Sequence, residues 1–389
     1  MIDLRDSRLV FALLLLLVGI SVLIFTANYD GISVGSYFSN AISNTHKNAI
    51  ANADVDQRPA QISPDSPLGR KCLRPGVINC FGFDDAAALY YNWPTGTACD
   101  EALRGKTNYK FGNGRQGQGN TVAVVQNGEC IFPEIDTAMA HSGTGSLRIT
   151  IPSHSYADSG GHFTEVFRRN RDGDPDGTYI GPGSVYGNVL YFQFYERFDE
   201  NFLSSVFQCA GGGCGGWKQV IWYGNPPNGR SSSSLEVTIN NGWQRGVPQM
   251  YGQAGRDYYG IQDVRGCTYK SDAKTGSDYP EPLCIRYKAN RWMEFTGGIE
   301  ISGESNQPAS RVQLWIDGEP AIDYNHAKID WSGSSGKGFG QFLLSPYHTN
   351  KDASQAHPVG HVWYDDLIIS TQPIAMRSAS VPTPGAARQ

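Results

Sequence analysis

In a series of segments between about residue 145 and residue 370, apolar side chains recur at every second position. Leu147, Ile149 and Ile151 alternate with polar neighbours, and Leu190, Phe192, Phe194 and Phe198 alternate with Tyr191, Gln193, Tyr195 and Arg197. Leu235, Val237 and Ile239 alternate with Glu236, Thr238 and Asn240. Met293, Phe295, Ile299 and Ile301 keep one parity through Gly297. Val312, Leu314 and Ile316 alternate with Arg311, Gln313 and Trp315, and Asp317-Gly318 then supplies a hairpin turn. Segments 339–344 and 361–370 close the series. A period of two over so many segments, with turn residues between and no long helical period, predicts an all-β fold, an antiparallel β-sandwich.

One stretch breaks the pattern. Arg5 and Arg8 precede an apolar run over residues 9–27. That is about the 20 residues a helix needs to cross a bilayer. Positive charge before it places the N-terminus inside and the rest outside the cytoplasm. A signal anchor is the first reading, and a cleaved signal with secretion is the alternative. Residues 28–70 are polar and aperiodic and read as a spacer, residues 71–372 as one domain, and residues 373–389 as a disordered tail.

All eight cysteines lie beyond the apolar run. An even count in an exported chain predicts disulfides, of which Cys72–Cys80, Cys209–Cys214 and Cys267–Cys284 close the shortest loops, though spacing leaves the connectivity open. Net charge is −5 without any Lys/Arg run, which argues against a nucleic-acid partner.

The polar faces of several strands carry aromatic and amide groups instead of charges: Tyr191, Gln193 and Tyr195; Trp217, Gln219 and Tyr223; Arg311, Gln313 and Trp315. Flat rings stack on sugars, while amides and guanidinium groups meet hydroxyls and carboxylates, so a polysaccharide is the expected ligand. Ordinary solvated faces are the alternative. Asp172, Asp174 and Asp176 have the DxDxDG spacing that can direct three oxygens at calcium, but the twelfth position is Gly183, not Glu, so a solvated acidic turn competes.

The order of motifs resembles the concanavalin A-like jelly rolls, in particular the polysaccharide-lyase branch that includes heparin lyase I and alginate and glucuronan lyases. The residues that carry it begin with His141-Ser-Gly-Thr-Gly and the strand from Leu190 to Asp199. They continue through Trp217-Lys-Gln219, Arg291-Trp-Met-Glu-Phe295, Val312 to Gly318, and Val362 to Ser370. The Arg-Thr/Ser-Glu-x-Arg, Gln-Ile/Val-His and Tyr-x-Lys-x-Gly-x-Tyr strands of such alginate lyases are not intact here. The resemblance also implies a structural calcium between Asp365-Asp366 and Asp84-Asp85.

It further implies a uronate glycan as substrate and β-elimination as reaction. Such a lyase neutralises a carboxylate, removes the adjacent proton and protonates the leaving oxygen. The expected catalytic set is Tyr347, His348, Arg245 and Gln219, with Tyr191, Tyr195, Trp217, Glu236, Gln244, Tyr251 and Lys351 lining the groove. Tyr251 and His141 are the reserve bases. A lectin-like module without catalysis, or a structural cell-surface protein, are the competing readings.

Overall fold

The computed structural model describes residues 62–86, 89–92, 98–99, 120–166, 179–211, 216–224, 235–242, 244, 246–253, 285–331 and 338–376. The apolar run 9–27 and its membrane assignment, Arg245, and the acidic turn at 172–176 lie outside them. Among the described residues no helix is long and apolar enough to cross a membrane.

The strands in chain order are β1 (Val77–Phe81), β2 (Tyr90–Asn92), β3 (Asn120–Val122), β4 (Val124–Gln126), β5 (Glu129–Ile131) and β6 (Glu134–Asp136). Then come β7 (Ser146–Ile151), β8 (His162–Val166), β9 (Val189–Phe198), β10 (Gly216–Gly224), β11 (Glu236–Gly242) and β12 (Gln249–Gln253). The last are β13 (Met293–Glu300), β14 (Pro308–Ile316), β15 (Glu319–Lys328), β16 (Phe339–Leu344) and β17 (Gly360–Ser370). Two short helices, α1 (Pro67–Cys72) and α2 (Glu200–Ser204), are capped by Ser66 and Asp199.

One sheet has eight strands in the order β15-β14-β13-β9-β17-β7-β6, with β1 added beside β17. A second has seven, β12-β11-β10-β16-β8-β3-β2, and β4 and β5 pair as a separate two-stranded sheet. Pairing is antiparallel except between β2 and β3. Apolar residues of both sheets form one buried cluster. Phe192 of β9 meets Trp222 of β10 with ring centroids 4.8 Å apart, and Phe198 meets Trp217 at 5.2 Å. The expected all-β, antiparallel architecture is therefore present. The strand Val189–Phe198 contains the whole alternating run from Leu190 to Phe198. The hairpin between β14 and β15 turns on Asp317 and Gly318, both at positive φ (52° and 81°).

The ends of the domain differ from the expected spacer and tail. Ile62, Leu68, Cys72, Val77, Cys80, Ile368 and Ile374 form a second, smaller cluster on the outer face of the eight-stranded sheet. Ile62 and Leu68 give residues 62–70 a side to bury, and Ile374 does the same for the start of the tail. The Cys72–Cys80 disulfide ties α1 to β1. A second disulfide, Cys99–Cys130, spans 31 positions and was not among the shortest-loop pairings. Cys209 is also disulfide-bonded.

Candidate functional site

The site is built by a change of parity in β10. Trp217, Val220 and Trp222 belong to the shared core, while Ile221, equally buried, does not. Register slips between Lys218 and Val220, so that Lys218 lies opposite Asn240 and Val220 opposite Ile239. Gln219 is the extra residue of a β-bulge, and a bulge resets which side chains share a face. Strict alternation groups Trp217, Gln219 and Tyr223; the bulge leaves Trp217 and Gln219 on the core side and puts Tyr223 on the other. Trp217 packs among Phe198, Phe202 and Tyr287. Gln219 turns into the core, where it donates to Glu196 and accepts from the Tyr287 hydroxyl at 2.6 Å.

The outer face of the seven-stranded sheet then receives Lys218, Ile221 and Tyr223 from β10. From β11 come Glu236 and Thr238, opposite the core residues Val237 and Ile239. Tyr251 of β12 pairs with Thr238. Tyr347 follows β16, and its carbonyl accepts from Lys218 N at 2.7 Å. This face is not an open solvated surface: Thr238 is fully buried, Ile221 2% exposed and Asn240 4%.

At its centre the Lys218 ammonium meets the Glu236 carboxylate at 2.7 Å. It also lies 5.4 Å from the ring centre of Tyr347 and 5.7 Å from that of Tyr251. Burial works against the lysine's charge, but the Tyr251 phenol and the Glu236 carboxylate outweigh it and hold its pKa above the ordinary value. Burial, reinforced by Glu236, raises Tyr223 well above an ordinary phenol, so Tyr223 stays protonated. At the edge, His162 of β8 pairs through Nδ1 with Asp158 at 2.8 Å.

The remaining sequence candidates do not converge here. His348 bridges to Trp217, is 2% exposed, and packs on Phe207 on the core side of the sheet. Among the described residues neither ring nitrogen has a hydrogen-bond partner. Burial lowers its pKa to about 4. Lys351 is on that side too, donating to the Ser155 carbonyl and, at 3.0 Å, to its hydroxyl. Burial lowers its pKa to about 8. Gln244 clasps the backbone of Phe207 through both amide atoms at 2.8 Å. Tyr191 and Tyr195 stand on the outer face of the eight-stranded sheet, the wrong sheet to meet Tyr347. Tyr195 stacks on His141 at 3.5 Å and hydrogen-bonds Glu294.

The Asp365-Asp366 pair is close to His141, with candidate ligand atoms of all three within 4.8 Å of one another. Each carboxylate oxygen already accepts a hydrogen bond. Asp365 takes the backbone N–H groups of His141, Ser142 and Asp366. Asp366 takes His141 Nδ1 and Ser142 Oγ, both at 2.7 Å. Asp84 is engaged with Thr144. The hydrogen bonds to Asp365 and Asp366 dock the 141–144 turn on β17.

Sequence reasoning placed Tyr223 on a ligand-facing strand but missed Lys218, Asp158 and His162. An Asp-x-x-x-His spacing before a strand was the available signal for the last two. Lys218 gave none, because its face depends on the bulge.

No family model matches the chain, and no curated protein matches it. Among solved structures it is similar to alginate lyase Aly36B, at 14% identity and a TM-score of 0.35, over 60% of this chain and 84% of that one. It is similar to an endo-β-1,4-glucuronan lyase of the fungus Trichoderma reesei, at 14% identity and 0.36, over 64% and 90%. The binding domain of botulinum neurotoxin serotype C1 matches at 10% and 0.35, over 63% and 45%. At these values the similarities assign neither a family nor an activity, and the chain's own residues must carry the reading.

Proposed function

We propose that this protein is a jelly-roll polysaccharide lyase that binds a uronate glycan across the outer face of the seven-stranded sheet. The observation that carries the reading is the Lys218 ammonium held by Glu236 between the rings of Tyr251 and Tyr347. Aromatic faces stack on sugar rings, and a fixed cation attracts an acidic ligand. In β-elimination the Tyr347 hydroxyl gives its proton to the departing glycosidic oxygen. A phenolic hydroxyl carries the one O–H that this donation uses. Arg245 is the proposed partner of the substrate carboxylate, from its residue type alone. The test is a screen of the soluble domain against alginate and glucuronan, with unsaturated product followed by ultraviolet absorbance. No new absorbance with either polymer rejects the lyase.

One observation favours binding without cleavage. Glu236 already neutralises Lys218, so the centre of the site has little net charge with which to stabilise a carbanion. Retention of oligosaccharide without product supports that lectin-like reading.

The location is part of the proposal. Arg5, Arg8 and the apolar run 9–27 support display outside the cytoplasm on a membrane anchor; protease added to spheroplasts should digest the domain, and full-length chain in the cytosol rejects it. Calcium at Asp172, Asp174 and Asp176 is likewise proposed from spacing alone. Chelator should lower the melting temperature of the wild type but not of Asp174→Ala.

A further inference from the structure

We propose that His162, oriented by Asp158, is the base that removes the proton beside the substrate carboxylate. The inference rests on the lyase reading above and deepens it.

Three observations bring the dyad to the site. First, Phe163 of β8 is a core residue, so the alternation of the strand turns His162 and Thr164 to the outer face that carries Lys218 and Tyr223. Second, β8 pairs directly with β16, Thr164 lying opposite Leu343. Third, the turn holding Asp158 is hydrogen-bonded to the chain on both sides of Tyr347. Ser345 Oγ donates to Asp158 Oδ1 at 3.2 Å, with the Gly161 carbonyl as its alternative acceptor at 3.5 Å. The backbone N–H of His348 donates to the Ala157 carbonyl at 3.0 Å.

The tautomer follows from the partner. A carboxylate can only accept, so Nδ1 carries a hydrogen, and in the neutral ring Nε2 presents its lone pair. Among the described residues Asp158 is the ring's one hydrogen-bond partner. Its side chain is 15% exposed, sheltered yet reachable. Among the described residues the charged and titratable groups on this face are Asp158, Lys218, Tyr223, Glu236, Tyr251 and Tyr347. Of these, Lys218 is tied to Glu236 and Tyr223 is held as a phenol, so neither serves as a base at neutral pH.

The step balances. His162 Nε2 takes the proton from the carbon next to the carboxylate, and the released pair forms the new C=C bond. The bond to the glycosidic oxygen breaks, and that oxygen takes the Tyr347 proton. Afterwards the imidazolium loses its proton to solvent and the tyrosinate regains one.

The test uses the full chain on alginate and glucuronan. His162→Ala should lower kcat by about a hundredfold or more with KM little changed. It should also abolish the acidic limb of the kcat profile, and added imidazole should restore part of the rate. Asp158→Asn should lower kcat while Tm stays near wild type. An active wild type whose His162→Ala and His162→Gln variants keep both rate and acidic limb overturns this inference and leaves the lyase reading standing. A wild type that forms no unsaturated product overturns both. A folded His162→Ala that is slow but keeps the acidic limb and ignores imidazole assigns the base elsewhere and also overturns it.

Discussion

Tyr347 and His348 are adjacent in the chain but lie on opposite faces of the same sheet. Tyr347 meets Lys218 through its carbonyl and ring, while His348 bridges to Trp217 and packs on Phe207. Successive side chains of extended backbone point to opposite sides, so the two cannot share one substrate. Tyr347→Phe should therefore lower turnover by about a hundredfold, and His348→Leu should leave it unchanged. Steady-state rates on a cleaved polymer check both, and equal losses would contradict the geometry.

His348 should instead govern acid stability. Its folded pKa, about 4, lies below the ordinary 6.5. Between these values the unfolded chain binds the proton first. The stability linked to this group is complete above about pH 6.5 and is lost as pH falls through about 4. The shift corresponds to about 3 kcal/mol. Denaturant midpoints from pH 7 to pH 4 should fall less steeply in His348→Leu; parallel curves would count against it.

Glu196 should act with the opposite sign. It is fully buried beside Gln219 and Tyr364, and burial raises its pKa to about 8. The folded state holds the proton longer than the unfolded one, so this contribution is present below about pH 4.5 and is lost as pH rises through about 8. Glu196→Gln should flatten the decline in stability between pH 6 and pH 9, measured by urea unfolding. An unchanged slope would show that Glu196 is not the titrating group.

Lys218 and Glu236 should be destabilising to separate. Their side chains are only 10% and 8% exposed. Removing one partner leaves a buried unpaired charge, a loss of about 3–5 kcal/mol. Lys218→Met combined with Glu236→Gln should recover much of it. Additive losses in the double-mutant cycle would mean the pair is not coupled.

The Cys99–Cys130 bridge should contribute about 2–4 kcal/mol. Peptide mapping under non-reducing conditions should recover this link and Cys72–Cys80. Cys99→Ala with Cys130→Ala should lower the melting temperature; mapped pairs that join these cysteines differently would refute the connectivity.

Much of the fold was legible in the chain itself. Leu190, Phe192, Phe194 and Phe198, and likewise Val312, Leu314 and Ile316, have to be buried together, and only a strand puts alternate residues on one side. Local rules also reach the turn at Asp317 and Gly318, and the Cys72–Cys80 loop. What tertiary structure decided was which of the two sheets each polar face belongs to, and which face survives an irregularity. Tyr191 and Tyr195 alternate as cleanly as Glu236 and Thr238, yet they stand on the eight-stranded sheet. A single extra residue at Gln219 moves Lys218 out beside Tyr347 and sends Gln219 inward to Glu196. Periodicity is a property of neighbouring residues and can be read locally. A bulge and a sheet assignment are set by partners dozens to hundreds of residues away, so the site around Lys218 came into view only once those partners were in place.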